Sequence, residues 1–221
     1  MPSRQIPIQF PEAPLNFDDM AITSANRAIC AAIRNVERWP YHAFCLIGPP
    51  GSGVTTLARA WADERDATYL DAETLAALDL SEIESTTEAD LVIDDVDLLD
   101  RAETLLLLLS GVDRHQKMIL LTGHTAPAHW AFRSPDLMSR LQAAPLAELP
   151  GPDEELMRAR LRRAFARSVL ALPKTVEDYL VTRLGLDYSQ IEQVAEELAG
   201  ASGDRPLTIP LAREILGEEN G

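Results

Sequence analysis

The sequence predicts an α/β fold: a parallel five-stranded sheet covered by helices on both faces, followed by a small all-helical unit at the C-terminal end. Three observations carry this. From Ala43 to Thr122 short apolar runs alternate with helical ones, the pattern of strands buried on both faces. A Pro-Gly-Pro stretch at 150–152 closes the last such run. Beyond it, apolar residues recur only at three- and four-residue spacing, as on helices that bury one face.

In order along the chain, residues 1–12 form a short Pro-bearing arm, and "MPSRQIPIQF" contains no apolar core of a secretory signal. Residues 13–150 form the sheet unit. Its strands are "AFCLIG", "ATYLDA", "LVIDDVD", "MILLTG" and "APLAELP", and its clearest helices are "TLARAWADE" and "RAETLLLLLSGV". Residues 151–221 supply four helical segments, "DEELMRARLRRAFARSVL", "KTVEDYLVTRL", "DYSQIEQVAEELAG" and "IPLAREILGEE", expected to pack as a lid on the core. The most apolar stretch, "TLLLLLSGV", is about half the length of a membrane span, so a cytoplasmic protein is expected. A net charge of -15 argues against the basic footprint that neutralises a nucleic-acid backbone, so direct DNA binding is not expected. Two cysteines, Cys30 and Cys45, are too few for a disulfide framework and read as reduced and structural. Trp39, Trp61 and Trp130 read as packing residues, and the four histidines lack the spacing of metal ligands.

The stretch "GPPGSGVTT" lies between an apolar strand and a helix. Gly48, Gly53 and Thr55 fall on the phosphate-loop template, with Pro49, Pro50, Gly51, Ser52 and Thr56 completing the turn, while Val54 stands where the lysine belongs. On pattern alone this is either a nucleotide site or a plain strand-to-helix turn. The buried run "LVIDDVD" decides for the former. It puts Asp94 and Asp95 at the end of a buried strand, placed as a magnesium ligand, with Thr55, and as a water-orienting acid, and adjacent buried carboxylates are costly unless a cation or strong donors meet them. Backbone amides and the helix N-terminus can hold a phosphate without the lysine. The lost ammonium would have contributed about 1.5–3 kcal/mol, and neither Lys117 nor Lys174 is placed to replace it. Whether ADP or ATP binds is thus left open by the sequence, any binding with magnesium is expected to be weakened, and little or no intrinsic turnover is expected.

A phosphate loop, paired aspartates after a buried strand and a helical lid together resemble an AAA+ module of the DnaA-related family, above all its short Hda-like members, the regulatory inactivators of the initiator. "LNFDDMAITSANRAICAAI" resembles the family's opening, which wraps the adenine. "LLTGHTAPAHW" resembles its sensor 1 segment, with His124 where an acidic residue is usual. "SPDLMSRLQA" is similar to its box VII, which makes Arg140 an arginine finger, and "RPLTIPLAREIL" is similar to the Hda ending. The sensor 2 arginine is absent, since Ser189 and Gln190 occupy its place. In the arm, Gln5, Ile8 and Phe10 resemble a sliding-clamp binding peptide. The resemblance thus implies a regulator of chromosomal replication initiation. It would bind the DNA polymerase sliding clamp and use Arg140 in trans to promote ATP hydrolysis on the initiator DnaA, with its own nucleotide site degenerate. Two other readings stand beside it: an ATPase active in its own right, and a pure adaptor in which Arg140 has no role. Head-to-tail pairing of identical chains is left open.

Overall fold

The computed structural model describes residues 17, 20–151, 153–186, 190–202 and 206–217. After helix α1 (Arg27–Arg34) the chain alternates: β1 (Ala43–Ile47), α2 (Val54–Arg65), β2 (Thr68–Leu70), α3 (Ala72–Ala77), α4 (Leu80–Thr86), β3 (Leu91–Ile93), α5 (Ala102–Arg114), β4 (Ile119–Gly123), α6 (Pro135–Ala143) and β5 (Leu146–Glu148). The five strands form one parallel sheet in the order β2-β3-β4-β1-β5. Leu121 of β4 stands in register with Cys45 on one side and Ile93 on the other. The carboxyl ends of β1, β3 and β4 therefore lie side by side, where parallel sheets place their ligand crevices.

Alternation along β1 splits the core into two layers. Ala43, Cys45 and Ile47 pack with Leu105 and Leu108 of α5 and Leu137 and Leu141 of α6. Phe44 and Leu46 pack on the opposite face with Cys30 and Ile33 of α1 and Leu57 and Trp61 of α2. All five residues of β1 are buried, which explains why its sequence shows no polar alternation. Trp61 stacks on Trp39 with ring centroids 5.5 Å apart and donates its indole N–H to the Ile33 carbonyl at 3.0 Å. Burial pushes the Cys45 thiol up to about 12, so it behaves as a small apolar side chain.

Helices α7 (Glu154–Arg167), α8 (Lys174–Leu184), α9 (Ile191–Ser202) and α10 (Ile209–Ile215) follow the sheet and share a separate core that includes Leu161, Phe165, Leu180 and Leu198. Asp153 caps α7, accepting the Leu156 N–H at 2.7 Å. Glu177, only 3% exposed, binds three cations of the bundle. Arg162 grips both its oxygens at 2.8 and 2.9 Å, Arg158 donates at 3.1 Å, and Lys174 lies at 3.5 Å. Burial alone would raise this carboxyl, but the Arg162 and Arg158 hydrogen bonds outweigh it and hold Glu177 below the ordinary glutamate range. Among the described residues, no helix is long and apolar enough to cross a membrane.

Candidate functional site

The loop after β1 reverses the chain through two left-handed glycines, Gly51 at φ +79° and Gly53 at φ +98°. A residue with a Cβ is strained at either position. Helix α2 begins immediately afterwards, so its unpaired N-terminal amides open at the loop. Gly48, Pro49, Pro50, Gly51, Ser52, Gly53, Val54, Thr55 and Thr56 line one pocket of about 190 Å³, together with Asp95, Gly123, His124 and Arg160. A second pocket of about 200 Å³ adjoins it. Met20, Ala21 and Asn26 from the opening segment line this one, with Arg160, Arg163 and Arg167 from α7. Each is small for a cofactor site, but the two share Ser52, Gly53, Thr56 and Arg160, which makes one continuous crevice between core and bundle.

The opening segment is fixed by its own polar contacts. Asn26 accepts the Thr23 N–H and donates to the Ala21 carbonyl, both at 2.9 Å. Ser24 donates to Glu155 at 2.8 Å, and Arg163 donates to the Met20 carbonyl at 3.4 Å, tying this segment to α7. Ser52 is 5% exposed, and its hydroxyl has no hydrogen-bond partner. A buried hydroxyl left without a partner costs free energy, and a phosphate oxygen in the crevice would supply one. The loop, its glycines and Ser52 therefore fit a nucleotide's phosphates.

The paired aspartates diverge. Asp94, expected as a magnesium ligand, is 3% exposed and receives hydrogen bonds from the hydroxyls of Tyr69 and Thr122, one on each oxygen. Asp95 lies on the loop's side and lines its pocket, held in the left-handed region at φ +53° while its N–H donates to the Thr122 hydroxyl at 3.0 Å. Burial, then the neighbouring Asp94 and Asp97 carboxylates, raises the Asp95 carboxyl above its usual range, with His124 opposing. His124 follows β4. Its N–H donates to Asp97 at 2.9 Å, and its Nδ1 lies 3.5 Å from Asp97 and 3.7 Å from Asp95. These three side chains bring potential metal-ligand atoms within 4.8 Å of one another. The carboxylate that lines the loop's pocket is thus Asp95, with Asp97 beside His124. Val54 is buried and packs into the layer containing Leu57 and Trp61, so the position of the usual lysine is given to the core.

Arg140 is elsewhere. It stands on α6, its side chain 43% exposed, and lines a cleft of about 370 Å³ with Tyr41, Asp113 and Ser139. Its contact with Asp136 is 3.6 Å, beyond hydrogen-bond range. It lines neither pocket of the loop crevice. Gln5, Ile8, Phe10 and Ser189 lie outside the described residues.

Sequence reasoning missed Arg160. Its run, "RARLRRAFAR", reads as a charged helix surface, yet Arg160, Arg163 and Arg167 at three- and four-residue spacing fall on one face of α7 and line the crevice. That clustering of positive charge in so acidic a chain was the available signal.

No protein-family model matches the chain. It is 23% identical, over 91% of its length, to the chromosomal replication initiator protein DnaA of Bacteroides thetaiotaomicron, and spans about half the length of the curated relatives it matches. Domain III of the Thermotoga maritima initiator DnaA superposes with a TM-score of 0.77 at 18% identity, covering 95% of this chain and 98% of that one. A replication initiator DnaA bound to AMPPCP and single-stranded DNA superposes with a TM-score of 0.65 at 21% identity, covering 82% of this chain and 65% of that one. The chain therefore has the α/β fold of the initiator's AAA+ domain and is related to that domain in sequence.

Proposed function

We propose that this protein is a DnaA-related regulator of replication initiation that presents Arg140 to a nucleotide held by another AAA+ subunit, the initiator. The observation that carries this reading is the position of Arg140, half-exposed on α6 and outside the chain's own loop crevice. A guanidinium so placed can approach only a phosphate carried by a neighbour. Charge developing on a γ-phosphate is stabilised by such a group, and an arginine supplied in trans is worth about three to five orders of magnitude in rate. Gln5, Ile8 and Phe10 would hold the regulator on the sliding clamp, with Ile8 and Phe10 seated in apolar pockets. The test follows hydrolysis of initiator-bound ATP in the presence of clamp-loaded DNA, with wild-type protein and Arg140→Ala. The wild type accelerates hydrolysis and Arg140→Ala loses about a thousandfold of that acceleration, whereas equal activity of the two proteins supports the adaptor reading.

The convergence of all nine loop residues with Asp95 and His124 favours a second property, nucleotide binding by the chain itself. The loop amides, Ser52 and Thr55 would hold the phosphates, and a bound nucleotide would supply the anionic charge that the α2 N-terminus favours. Asp95, with Asp97 and His124 beside it, would face an accompanying magnesium ion. With Val54 turned into the core, turnover at this site is expected to be low, and its role is binding.

A further inference from the structure

We propose that Asp95, Asp97 and His124 form a binding site for a divalent transition-metal ion, with zinc as the best fit, beside the phosphate loop. This goes beyond the nucleotide-binding property above. The site takes its ion with no nucleotide present, through an imidazole nitrogen that magnesium does not favour, and depends on neither Arg140 nor any partner.

The three side chains come from two turns at the carboxyl end of the sheet. Asp95 and Asp97 follow β3, His124 follows β4, and the two strands are paired neighbours. No sequence spacing announces the set; the sheet assembles it, with one ligand atom of each residue within 4.8 Å of the others. The separations suit a shared ion better than a hydrogen bond. Nδ1 of His124 stands 3.5 Å from Asp97 and 3.7 Å from Asp95, outside the usual hydrogen-bond range of about 2.7–3.2 Å. Ligand atoms about 2.1 Å from a tetrahedral ion lie about 3.4 Å from one another, within a few tenths of an ångström of both distances. Adjacent oxygens around octahedral magnesium are only about 3.0 Å apart, and that ion selects oxygen throughout.

A second observation points to a cation independently. The Asp97 side chain is 12% exposed, and its Oδ1 is shielded from solvent and has no hydrogen-bond partner. Oδ1 lies against Gly123, where an added Cβ would meet it at 3.1 Å, and Gly123 lines the loop pocket. A carboxylate oxygen cut off from both water and donors is costly to bury, and a metal ion is the partner that this position lacks. The backbone holds the set in place. The His124 N–H donates to Asp97 at 2.9 Å, and Asp95 is fixed at φ +53° with its own N–H on the Thr122 hydroxyl. Metal sites depend on such neighbouring hydrogen bonds to orient their ligands. Three protein ligands leave a tetrahedral ion one open position. Asp95 and His124 line the loop pocket, so a phosphate oxygen held there can take it. The ion also cancels the charge of two carboxylates that would otherwise repel a phosphate at a loop where Val54 replaces the lysine.

The experiment is a calorimetric titration of zinc chloride into the full chain, stripped of metal by a chelator and free of nucleotide. Wild type, His124→Ala, Asp97→Asn and His42→Ala are compared, each checked for an unchanged melting temperature without metal, and Asp95→Asn stands in for any that fails the check. Wild type is expected to bind one equivalent, His124→Ala and Asp97→Asn to bind roughly a hundredfold more weakly, and His42→Ala to match wild type. Excess magnesium should leave the zinc isotherm unchanged. Absence of zinc binding by wild type overturns the proposal, as does wild-type affinity in His124→Ala or displacement of zinc by magnesium. A loss confined to His42→Ala overturns it too, by moving the ion to the His42–Asp113 pair. Magnesium-ADP titrated into metal-free wild type separates the two readings: its binding survives if only the zinc site is wrong, and its failure leaves zinc binding as it was.

Discussion

The loop crevice and the outer face of α6 are complementary in what they lack. The crevice has the backbone of a phosphate site: left-handed Gly51 and Gly53, a helix N-terminus, an unpartnered Ser52 hydroxyl and Asp95. Its own loop contributes no cation, because Val54 is folded into the core. The α6 face has the cation, Arg140, in a cleft lined by Tyr41, Asp113 and its own neighbour Ser139 rather than by a glycine-rich loop. On the proposed reading, a loop without its lysine and an arginine outside that loop's crevice would separate binding nucleotide from acting on it, the first in the crevice between core and bundle and the second at a surface that needs a neighbour.

If that separation is right, perturbations should sort by which region they reach. Leu121 stands at the centre of the sheet, fully buried between Cys45 and Ile93. Leu121→Ala is expected to cost about 2–5 kcal/mol in chemical denaturation and to impair both regions, since the strands position both. Glu177→Ala removes the acceptor of three bundle cations and should cost about 1–3 kcal/mol, weakening ADP binding while leaving the action of Arg140 intact. Loss of stimulation by this variant would break the comparison.

The same carboxyl sets a pH dependence. Because the folded state holds Glu177 below its ordinary value, its contribution is complete above about pH 4.3 and is lost as the pH falls further, through the folded value. A thermal-melt series on wild type and Glu177→Ala should therefore converge at acid pH and diverge above it.

Smaller effects sharpen the contrast. Val54→Lys returns an ammonium to the loop, and magnesium-ADP should bind about tenfold more tightly as a result. Asp153→Ala removes the cap of α7 and should lower stability by about 1 kcal/mol, with a matching modest loss of ADP affinity and no change at the α6 face.

The fold was legible in the sequence because burial leaves a direct trace. Runs such as "AFCLI" and "MILL" are apolar at every position, since both faces of β1 and β4 are covered, and the change to helical spacing after Pro150 marks where the sheet ends. The loop was legible for a related reason, since its glycines answer to φ values that other residues rarely adopt. Two features of the site were not. Asp94 and Asp95 are adjacent in sequence, yet the left-handed turn at Asp95 sends one to Tyr69 and Thr122 and the other to the loop, and no pattern of letters encodes that choice. Arg160 reaches the loop from more than a hundred positions later in the chain, through the packing of a helix whose own sequence shows only a charged face. Local spacing reports local structure; contacts made by tertiary packing lie outside it.

The most direct test of the separation reads both regions in a single variant. Arg140→Ala should bind magnesium-ADP with wild-type affinity and at the same time lose the acceleration of ATP hydrolysis on the clamp-associated initiator. Retention of that acceleration, or loss of the variant's own ADP binding, would contradict the account, because the arginine on α6 would then be idle or part of the cis site.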